Sequence, residues 1–366
     1  MYILCSPWPH LIPLRYTGPS LFLQRPSFSV GACTKGLVHN RPNERCVSTS
    51  GLLELAQPSG TVYWVASGLH AVKGKGEKEM DTPNSGMRGR VCLITGGSSG
   101  IGKATALGLA NMGATVVVVG RDLGRGEATV TEIKQKSGNN AVELMLADLS
   151  SQESIRRLAN DFRDNYQRLH VLINNAGVFI STRTVTVDGI ETTFAVNHLA
   201  PFLLTNLLLD VLKASAPARI INVTSSGERS GTINFDDLQG EGRYRGFRAY
   251  NQSKLAMILF TYELARRLEG TGVSVNCVHP GVVVTNLGRG TSGSFGLLLG
   301  LMRPFFSSPE KGAETSIYVA SSPEVEGVSG KYFAKKAEAR SSEQSYDEEV
   351  GRRLWQVSTE LTKLPA

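Results

Sequence analysis

The sequence has few cysteines and no long hydrophobic run, and both shortages narrow the possible protein classes. Its five cysteines are widely spaced, odd in number and form no Cys-x-x-Cys pair. A disulfide framework or a metal site is therefore not expected. Two of them, Cys92 and Cys277, lie in apolar strand-like runs, which predicts buried free thiols in a reducing compartment. No apolar run reaches the roughly 18 residues that a transmembrane helix needs.

The first 86 residues lack a helical or alternating apolar period and are rich in Pro, Gly and Ser. We expect this segment, 1–86, to be mostly disordered. Its first 43 residues contain no Asp or Glu, which is typical of an organelle transit peptide. Prolines in this segment would break the helix of such a peptide, so an extended translation start, with Met80 or Met87 as the true beginning, is an equally supported alternative. A mitochondrial, a cytosolic and a membrane-peripheral location all stay open.

The charge balance gives little support to nucleic-acid binding. The net charge is +7, but residues 1–80 hold eight Lys or Arg against four Asp or Glu and so supply +4 of it. The remainder is nearly balanced, and no basic run with interleaved aromatic residues is present. With 41% hydrophobic and 19% charged residues, the composition is that of an ordinary globular enzyme. We expect a small-molecule substrate and no nucleic acid.

From residue 90 onward, short β-branched runs alternate with longer helical patterns, which is typical of a parallel, doubly wound α/β sheet. The runs are apolar on both sides of their pleat, as expected when helices cover both faces. We predict one Rossmann-type catalytic domain, 87–366, with a sheet of about seven strands. Six strands are assigned, at Arg90–Thr95, Thr115–Val119, Val142–Ala147, His170–Ile173, Arg219–Thr224 and Val273–Val278.

A glycine-rich turn, 95–102, joins the first strand to the first helix. Gly96, Gly100 and Gly102 allow a sharp reversal and a close approach of the backbone to a pyrophosphate. At a helix N-terminus, free N–H groups and the helix dipole favour such an anion. An ordinary turn is the alternative, but its position between strand and helix favours a dinucleotide site.

The turn matches the Thr-Gly-x-x-x-Gly-Ile-Gly pattern at every fixed position, and the chain thereby resembles the short-chain dehydrogenase/reductase family over roughly residues 88–360. Further family stretches follow in order at Asp148, Asn174–Gly177, Tyr250–Lys254 and Pro280-Gly281 with Thr285. The resemblance implies cofactor binding by Gly96, Ser98, Ser99, Gly100, Ile101, Gly102, Arg121, Asp148, Leu149, Asn175, Ala176, Gly177, Tyr250, Lys254, Pro280, Gly281 and Thr285. It places Asp148 near the adenine and 175–177 beside the nicotinamide ribose.

The end of the second strand favours NADP(H) over NAD(H). Relatives that prefer NAD carry an acid at this point, where it binds the ribose hydroxyls and repels a 2′-phosphate. Here the strand ends in Gly120-Arg121, and a guanidinium can bind a phosphate bidentately. Asp122, the next residue, leaves NAD open as the alternative.

Tyr250 and Lys254 are four residues apart in a helical pattern and should project from one face. A nearby ammonium and a positive nicotinamide ring should lower the phenol pKa from its usual value of about 10. Two serines follow the fifth strand, and the resemblance selects Ser225 over Ser226 to hold the substrate oxygen. It also assigns Asn197 to a proton-relay water. The predicted reaction is a carbonyl–alcohol interconversion by hydride transfer with Tyr250 as acid and base.

Residues 256–268, 278–282 and 353–355 resemble the retinol dehydrogenase branch, which implies an apolar substrate such as retinal, retinol or a lipid aldehyde. Two alternatives remain: a non-catalytic dinucleotide sensor or scaffold, and an NAD-dependent dehydrogenase of another small alcohol or steroid. The helix predicted at Phe194–Lys213 is apolar around most of its circumference, so part of it should lie under another helix or in a homodimer interface. The apolar segment 295–306 is predicted as a substrate lid that also contacts a membrane surface; a helix packed permanently on the core is the alternative.

Overall fold

The computed structural model of the chain describes residues 52–56, 62–66, 86–281 and 307–365. The chain divides into two units, Met1–Glu77 and Lys78–Ala366. Within the first unit, strands β1 (Leu52–Ala56) and β2 (Val62–Ala66) pair antiparallel. The sequence indicated little regular structure here, so this pairing was not anticipated.

The second unit contains a sheet of eight strands, in the order β10-β9-β8-β7-β6-β3-β4-β5. All neighbours are parallel except β9 and β10. The predicted doubly wound sheet is confirmed, and each of the six assigned strands lies within one residue of its predicted bounds. The strands are β3 (Val91–Thr95), β4 (Thr115–Gly120), β5 (Val142–Leu146), β6 (Val171–Asn174), β7 (Ala218–Val223), β8 (Val273–His279), β9 (Lys331–Ala334) and β10 (Ala337–Ala339).

Helices cover both faces of this sheet. Several begin at a side chain that accepts a hydrogen bond from the first turn, as Asp122, Ser151, Ser308 and Asp347 do, which satisfies N–H groups that the helix itself leaves unpaired. The helices are α1 (Gly100–Asn111), α2 (Leu123–Ser137), α3 (Gln152–Asn165), α4 (Thr192–Phe194), a π-helix (Ala195–Leu199), α5 (Ala200–Leu207), α6 (Leu209–Ala214), α7 (Gly246–Arg267), α8 (Pro309–Ser321) and α9 (Glu348–Thr362).

Successive residues of the central strands supply two separate cores, because side chains alternate across the sheet. In β3, Leu93 joins the core that contains α3, α5 and α7, whereas Cys92 and Ile94 join the core that contains α1, α2 and α8. Burial raises the pKa of the Cys92 thiol to about 12. Cys92 and Cys277 are both buried and free, which confirms the prediction for these two residues.

The apolar segment predicted as one helix at Phe194–Lys213 is instead divided into a π-helix, α5 and α6. Most of its leucines are covered within the chain: Leu204, Leu208 and Leu212 have no exposed surface, whereas Leu207 and Leu209 are partly exposed. The C-terminal helix α9 contributes the cover, with the Trp355 ring centroid 4.9 Å from that of Phe202. Cover by another helix is therefore what the structure shows, and the homodimer stays a prediction.

Candidate active site

The predicted site residues that the structure describes lie at one edge of the sheet, where the parallel strands end. The turn 95–102 follows β3, Arg121 follows β4, Asp148 follows β5, 175–177 follow β6 and Ser225 follows β7. The sheet order reverses between β3 and β6, and ligands of such folds bind in the crevice at this switch point. Pro280 and Gly281 follow β8 at the same edge. Thr285 and the segment 295–306 lie outside the described residues.

Asn175 shapes the glycine turn from the neighbouring strand. Its amide Nδ2 donates to the Thr95 carbonyl at 2.9 Å and to the Gly96 carbonyl at 3.3 Å. In return, the Thr95 hydroxyl accepts from the backbone N–H groups of Asn175 and Ala176, at 3.0 and 3.1 Å. A Cβ at Gly102 would collide with the Asn175 amide and the Gly96 carbonyl. Asn175 therefore holds the turn, which explains why glycine is needed at 102.

The turn places the first backbone N–H groups of α1 at the crevice. Gly96 and Gly100 have φ values of 65° and 53°, a left-handed region that favours glycine. Helix α1 begins at Gly100, and Ser99 makes no capping bond with its side chain. Ile101 is buried, so its side chain packs in the core and only its backbone is available to a ligand. The free N–H groups at this helix start suit a pyrophosphate.

At the end of β4, a glycine packs against the glycine turn and is followed by a positively charged residue. A Cβ at Gly120 would lie 3.1 Å from the Ser98 hydroxyl, so a larger residue here would press on the glycine turn. Among the described residues Arg121 has no hydrogen-bond or ion-pair partner, and its side chain is exposed. The Asp122 carboxylate caps α2 by accepting from the Arg125 N–H at 2.8 Å. One oxygen of the Asp122 carboxylate, Oδ1, therefore has a structural role.

Asp148 is exposed and is partly engaged in its own turn, with Leu149 half-buried beside it. Its Oδ1 accepts from the backbone N–H and the hydroxyl of Ser150, at 2.9 and 2.7 Å. Its backbone N–H donates to the Ser154 hydroxyl at 2.9 Å. This arrangement leaves the second carboxylate oxygen of Asp148 without a hydrogen-bond partner among the described residues.

Tyr250, Lys254 and Ser225 meet at the opposite side of the crevice. Tyr250 and Lys254 lie one turn apart on α7, and the Lys254 Nζ is 5.7 Å from the centre of the Tyr250 ring. The Ser225 hydroxyl lies close enough to the Tyr250 phenol to lower its pKa, whereas Ser226 is exposed. A Cβ at Gly177 would lie 3.4 Å from both the Lys254 Nζ and the Asn197 Oδ1. The glycine turn and these side chains thus line one continuous site.

The ionisation of the pair departs from expectation in one respect. Burial raises the pKa of Tyr250, and the Ser225 hydrogen bond only partly opposes this effect, whereas the sequence predicted a lowered value. Burial also lowers the pKa of Lys254 from 10.5 to about 8. Desolvation disfavours the charged form of both groups. In the protein alone, burial is the largest cause of the pKa shift of each group.

Asn197 lies in the π-helix with its side chain fully committed. Its Nδ2 donates to the Val178 carbonyl and to the Ser253 hydroxyl, both at 2.9 Å, and its Oδ1 accepts from the Val178 N–H at 2.7 Å. Both amide protons are therefore taken. Pro201, four residues later, has no N–H and so denies the Asn197 carbonyl its α-helical donor. π-turns of this kind are frequent at functional sites.

Two residues that hold this arrangement in place were not predicted as site residues. Ser253, inside the Tyr250–Lys254 stretch, accepts from Asn197 and donates to the Tyr250 carbonyl at 2.7 Å. Gln252 donates to the Leu238 carbonyl at 2.8 Å. Their positions between the two functional residues were the available signal.

The turn after Ser225 is held by a buried carboxylate that the sequence did not single out. Glu228 has no exposed surface and accepts from the Ser342 N–H at 3.2 Å. The adjacent Arg229 donates to the Arg340 carbonyl at 2.8 Å. Two bonds from consecutive residues thus tie this turn to the segment before α9.

His198 is a packing residue. It is fully buried among aromatic rings, and burial lowers its pKa to about 3. Within the described part of the chain, no group of three His, Cys, Asp or Glu residues could hold a metal ion. No helix among the described residues is long and apolar enough to cross a membrane.

Comparison with known proteins identifies the family. The family described as short chain dehydrogenase matches residues 90–293. The chain belongs to the short-chain dehydrogenase family. It is 46% identical to mouse retinol dehydrogenase 12 over 280 residues, covering 76% of this chain and 88% of that protein. It is 45% identical to human retinol dehydrogenase 14 over 299 residues, with coverage of 76% and 88%.

Solved structures of this family share the fold. An uncharacterized protein from Mycobacterium paratuberculosis is 33% identical with a TM-score of 0.63, covering 76% of this chain and 96% of that one. The Pseudomonas aeruginosa RhlG/NADP complex is 29% identical with a TM-score of 0.56, and coverage is 69% and 97%. The chain is thus a short-chain dehydrogenase of the retinol dehydrogenase-like branch, an NAD(P)-dependent oxidoreductase that acts on CH–OH donors.

Proposed function

We propose that this short-chain dehydrogenase interconverts an apolar aldehyde or ketone and its alcohol with NADP(H), with Tyr250 as the proton donor and acceptor. One observation carries the proposal. The half-buried Tyr250 phenol lies beside the Ser225 hydroxyl and one helical turn from Lys254. The Lys254 Nζ in turn lies beside Gly177, in the stretch that packs against the glycine turn.

The residues at the crevice fit a dinucleotide. The free N–H groups at the start of α1 suit the pyrophosphate. Among the described residues, the Lys254 ammonium donates one hydrogen bond, to the Val223 carbonyl at 3.2 Å. Its two other N–H donors suit ribose hydroxyls. When bound, the cofactor supplies or accepts the hydride.

A preference for NADP(H) rests on three neighbouring residues. Gly120 offers no acid to bind ribose hydroxyls, and the Asp122 carboxylate is used to cap α2. Arg121 is exposed and, in the described part of the chain, unpaired, so its planar guanidinium is available to a 2′-phosphate. NAD(H) with a small alcohol or a steroid is the alternative that the assay below separates.

In reduction, Tyr250 donates its proton to the carbonyl oxygen of the substrate. Ser225 donates a hydrogen bond to the same oxygen, which stabilises the negative charge that develops there. Lys254 favours the resulting phenolate through its positive charge. Because the Asn197 amide is committed to Val178 and Ser253, its main-chain carbonyl is the group that would hold a relay water. In oxidation the same groups act in reverse.

The retinoid-like substrate class is supported by the relatives. Proteins named retinol dehydrogenase match this chain at 45–47% identity, and the stretches at 256–268 and 278–282 carry the likeness. We therefore propose retinal, retinol or a related lipid aldehyde as substrate.

A direct assay tests the function. Purified chain is incubated with NADPH or NADH and with all-trans-retinal, a long-chain aldehyde or a steroid ketone. We expect turnover with NADPH and retinal or the long-chain aldehyde, and its loss in Tyr250→Phe. NADPH binding without turnover of any carbonyl would contradict the proposal and indicate a sensor. Turnover only with NADH would contradict the cofactor preference.

A further inference from the structure

Three aromatic side chains form a continuous surface that ends at the reactive hydroxyl. The ring centroids of Phe247 and Phe179 are 4.8 Å apart, and those of Phe179 and Tyr250 are 5.9 Å apart. Phe247 lies three residues before Tyr250 on α7, so both project from one helix face. We call Phe247, Phe179 and Tyr250 the aromatic row.

Phe179 is held rigidly because the backbone on both sides of it is fixed. Its neighbour Val178 is bound in both directions by the Asn197 amide. Its other neighbour, Ile180, accepts a hydrogen bond from the Tyr244 hydroxyl at 2.9 Å. A binding surface whose supporting shell is fixed in this way needs little reorganisation when a ligand arrives.

The close approach of α7 keeps the row together. A Cβ at Gly246 would lie 2.6 Å from the Ile180 carbonyl and 2.9 Å from the Ser181 Cα. Only glycine therefore lets the first turn of α7 contact the loop that carries Phe179. The adjacent Phe247 is consequently brought against Phe179 while 55% of its surface stays exposed.

An exposed ring of this size beside a reactive group needs a reason, because large apolar side chains exposed at a crevice mark binding surfaces. We propose that Phe179 and Phe247 are specificity-determining residues that bind the apolar chain of the substrate, with its carbonyl at Tyr250. This inference rests on the proposed function and deepens it. The row selects long, planar or aliphatic carbonyl compounds over short, water-soluble ones.

The test compares Phe247→Ala with the wild type on two aldehydes, all-trans-retinal and butanal. Phe247 is more than half exposed, so its truncation leaves the fold intact. We expect KM for retinal to rise about tenfold, the lower end of what losing one apolar contact in a pocket usually causes. KM for butanal and Kd for NADPH should change less than about twofold, because butanal with its carbonyl at Tyr250 is too short to reach Phe247. Phe247→Leu should restore most of the retinal affinity.

Val187→Ser is the matched control, since Val187 is an apolar residue that is 86% exposed and lies outside the row. It should leave both KM values unchanged. Phe179→Leu adds a second position and should raise KM for retinal alone.

Equal increases for retinal and butanal in Phe247→Ala would overturn the inference. So would reduced binding to phosphatidylcholine–phosphatidylserine vesicles with an unchanged KM for retinal, because the ring would then contact a membrane. The proposed function fails separately, through a wild-type chain that turns over neither aldehyde.

Discussion

Lys254 gives the sharpest prediction, because it is a cation buried without a carboxylate. Its Nζ donates to the Val223 carbonyl, and no described Asp or Glu forms an ion pair with it. Burial lowers its pKa from 10.5 to about 8. At about 1.36 kcal/mol for each pKa unit, the charged form destabilises the fold by about 3 kcal/mol.

The sign of the pH effect follows from linkage. Between pH 8 and 10.5 the unfolded chain holds a proton on this lysine that the folded chain has released, so stability rises with pH. Below pH 8 both states are charged and the full penalty is present. Lys254→Met removes the effect, while the buried thiols and phenols titrate alike in both proteins. The difference in unfolding free energy between the two should therefore shrink by up to about 3 kcal/mol from pH 7 to 10.5, measured by urea denaturation.

Cofactor binding should reverse the shift. Ribose hydroxyls that accept from the ammonium raise the pKa of Lys254 in the complex. Above pH 8, NADP(H) binding should then be accompanied by proton uptake, close to one proton per cofactor at pH 9. The affinity for NADP(H) should fall by up to about tenfold for each further pH unit. Calorimetry in two buffers of different ionisation enthalpy measures this uptake. Equal uptake in Lys254→Met, or none in the wild type, would refute this account of the lysine.

Three further substitutions test the site. Tyr250→Phe should lower kcat by about 100-fold or more while Kd for NADPH is unchanged, since general acid–base assistance contributes about that much. Single-turnover kinetics measures the rate of the chemical step, and a mutant with half the wild-type rate would exclude the role. Arg121→Ala should weaken NADPH about ten- to a hundredfold relative to NADH in titrations, whereas equal losses would indicate a structural arginine. Gly102→Ala should weaken both dinucleotides and lower Tm, because its Cβ collides with Asn175. Gly124→Ala, whose Cβ would meet nothing closer than 4.0 Å, is the control and should keep Tm or raise it.

The local features of the chain were predictable from its residues. Six β-branched runs predicted six strands to within one residue, since a fully buried strand is apolar at every position. β9 and β10 were not assigned, because Lys331–Ala334 and Ala337–Ala339 are only four and three residues long. The helix at 194–213 was predicted as continuous because its apolar pattern masks the breaks that the π-turn and Leu208 introduce.

The order of motifs along the chain was sufficient to identify the family, the glycine turn and the Tyr250–Lys254 pair, because each is a short stretch whose chemistry is set by neighbours in sequence. Only the tertiary structure decided what distant residues do to one another. It assigned the Asp122 Oδ1 to a helix cap, placed the Ser225 hydroxyl beside Tyr250 as the resemblance implied, and raised the pKa of that phenol through burial. It also brought Phe179 to Phe247 across 67 intervening residues. Burial and long-range contacts depend on how helices cover the sheet, and no local pattern carries that information.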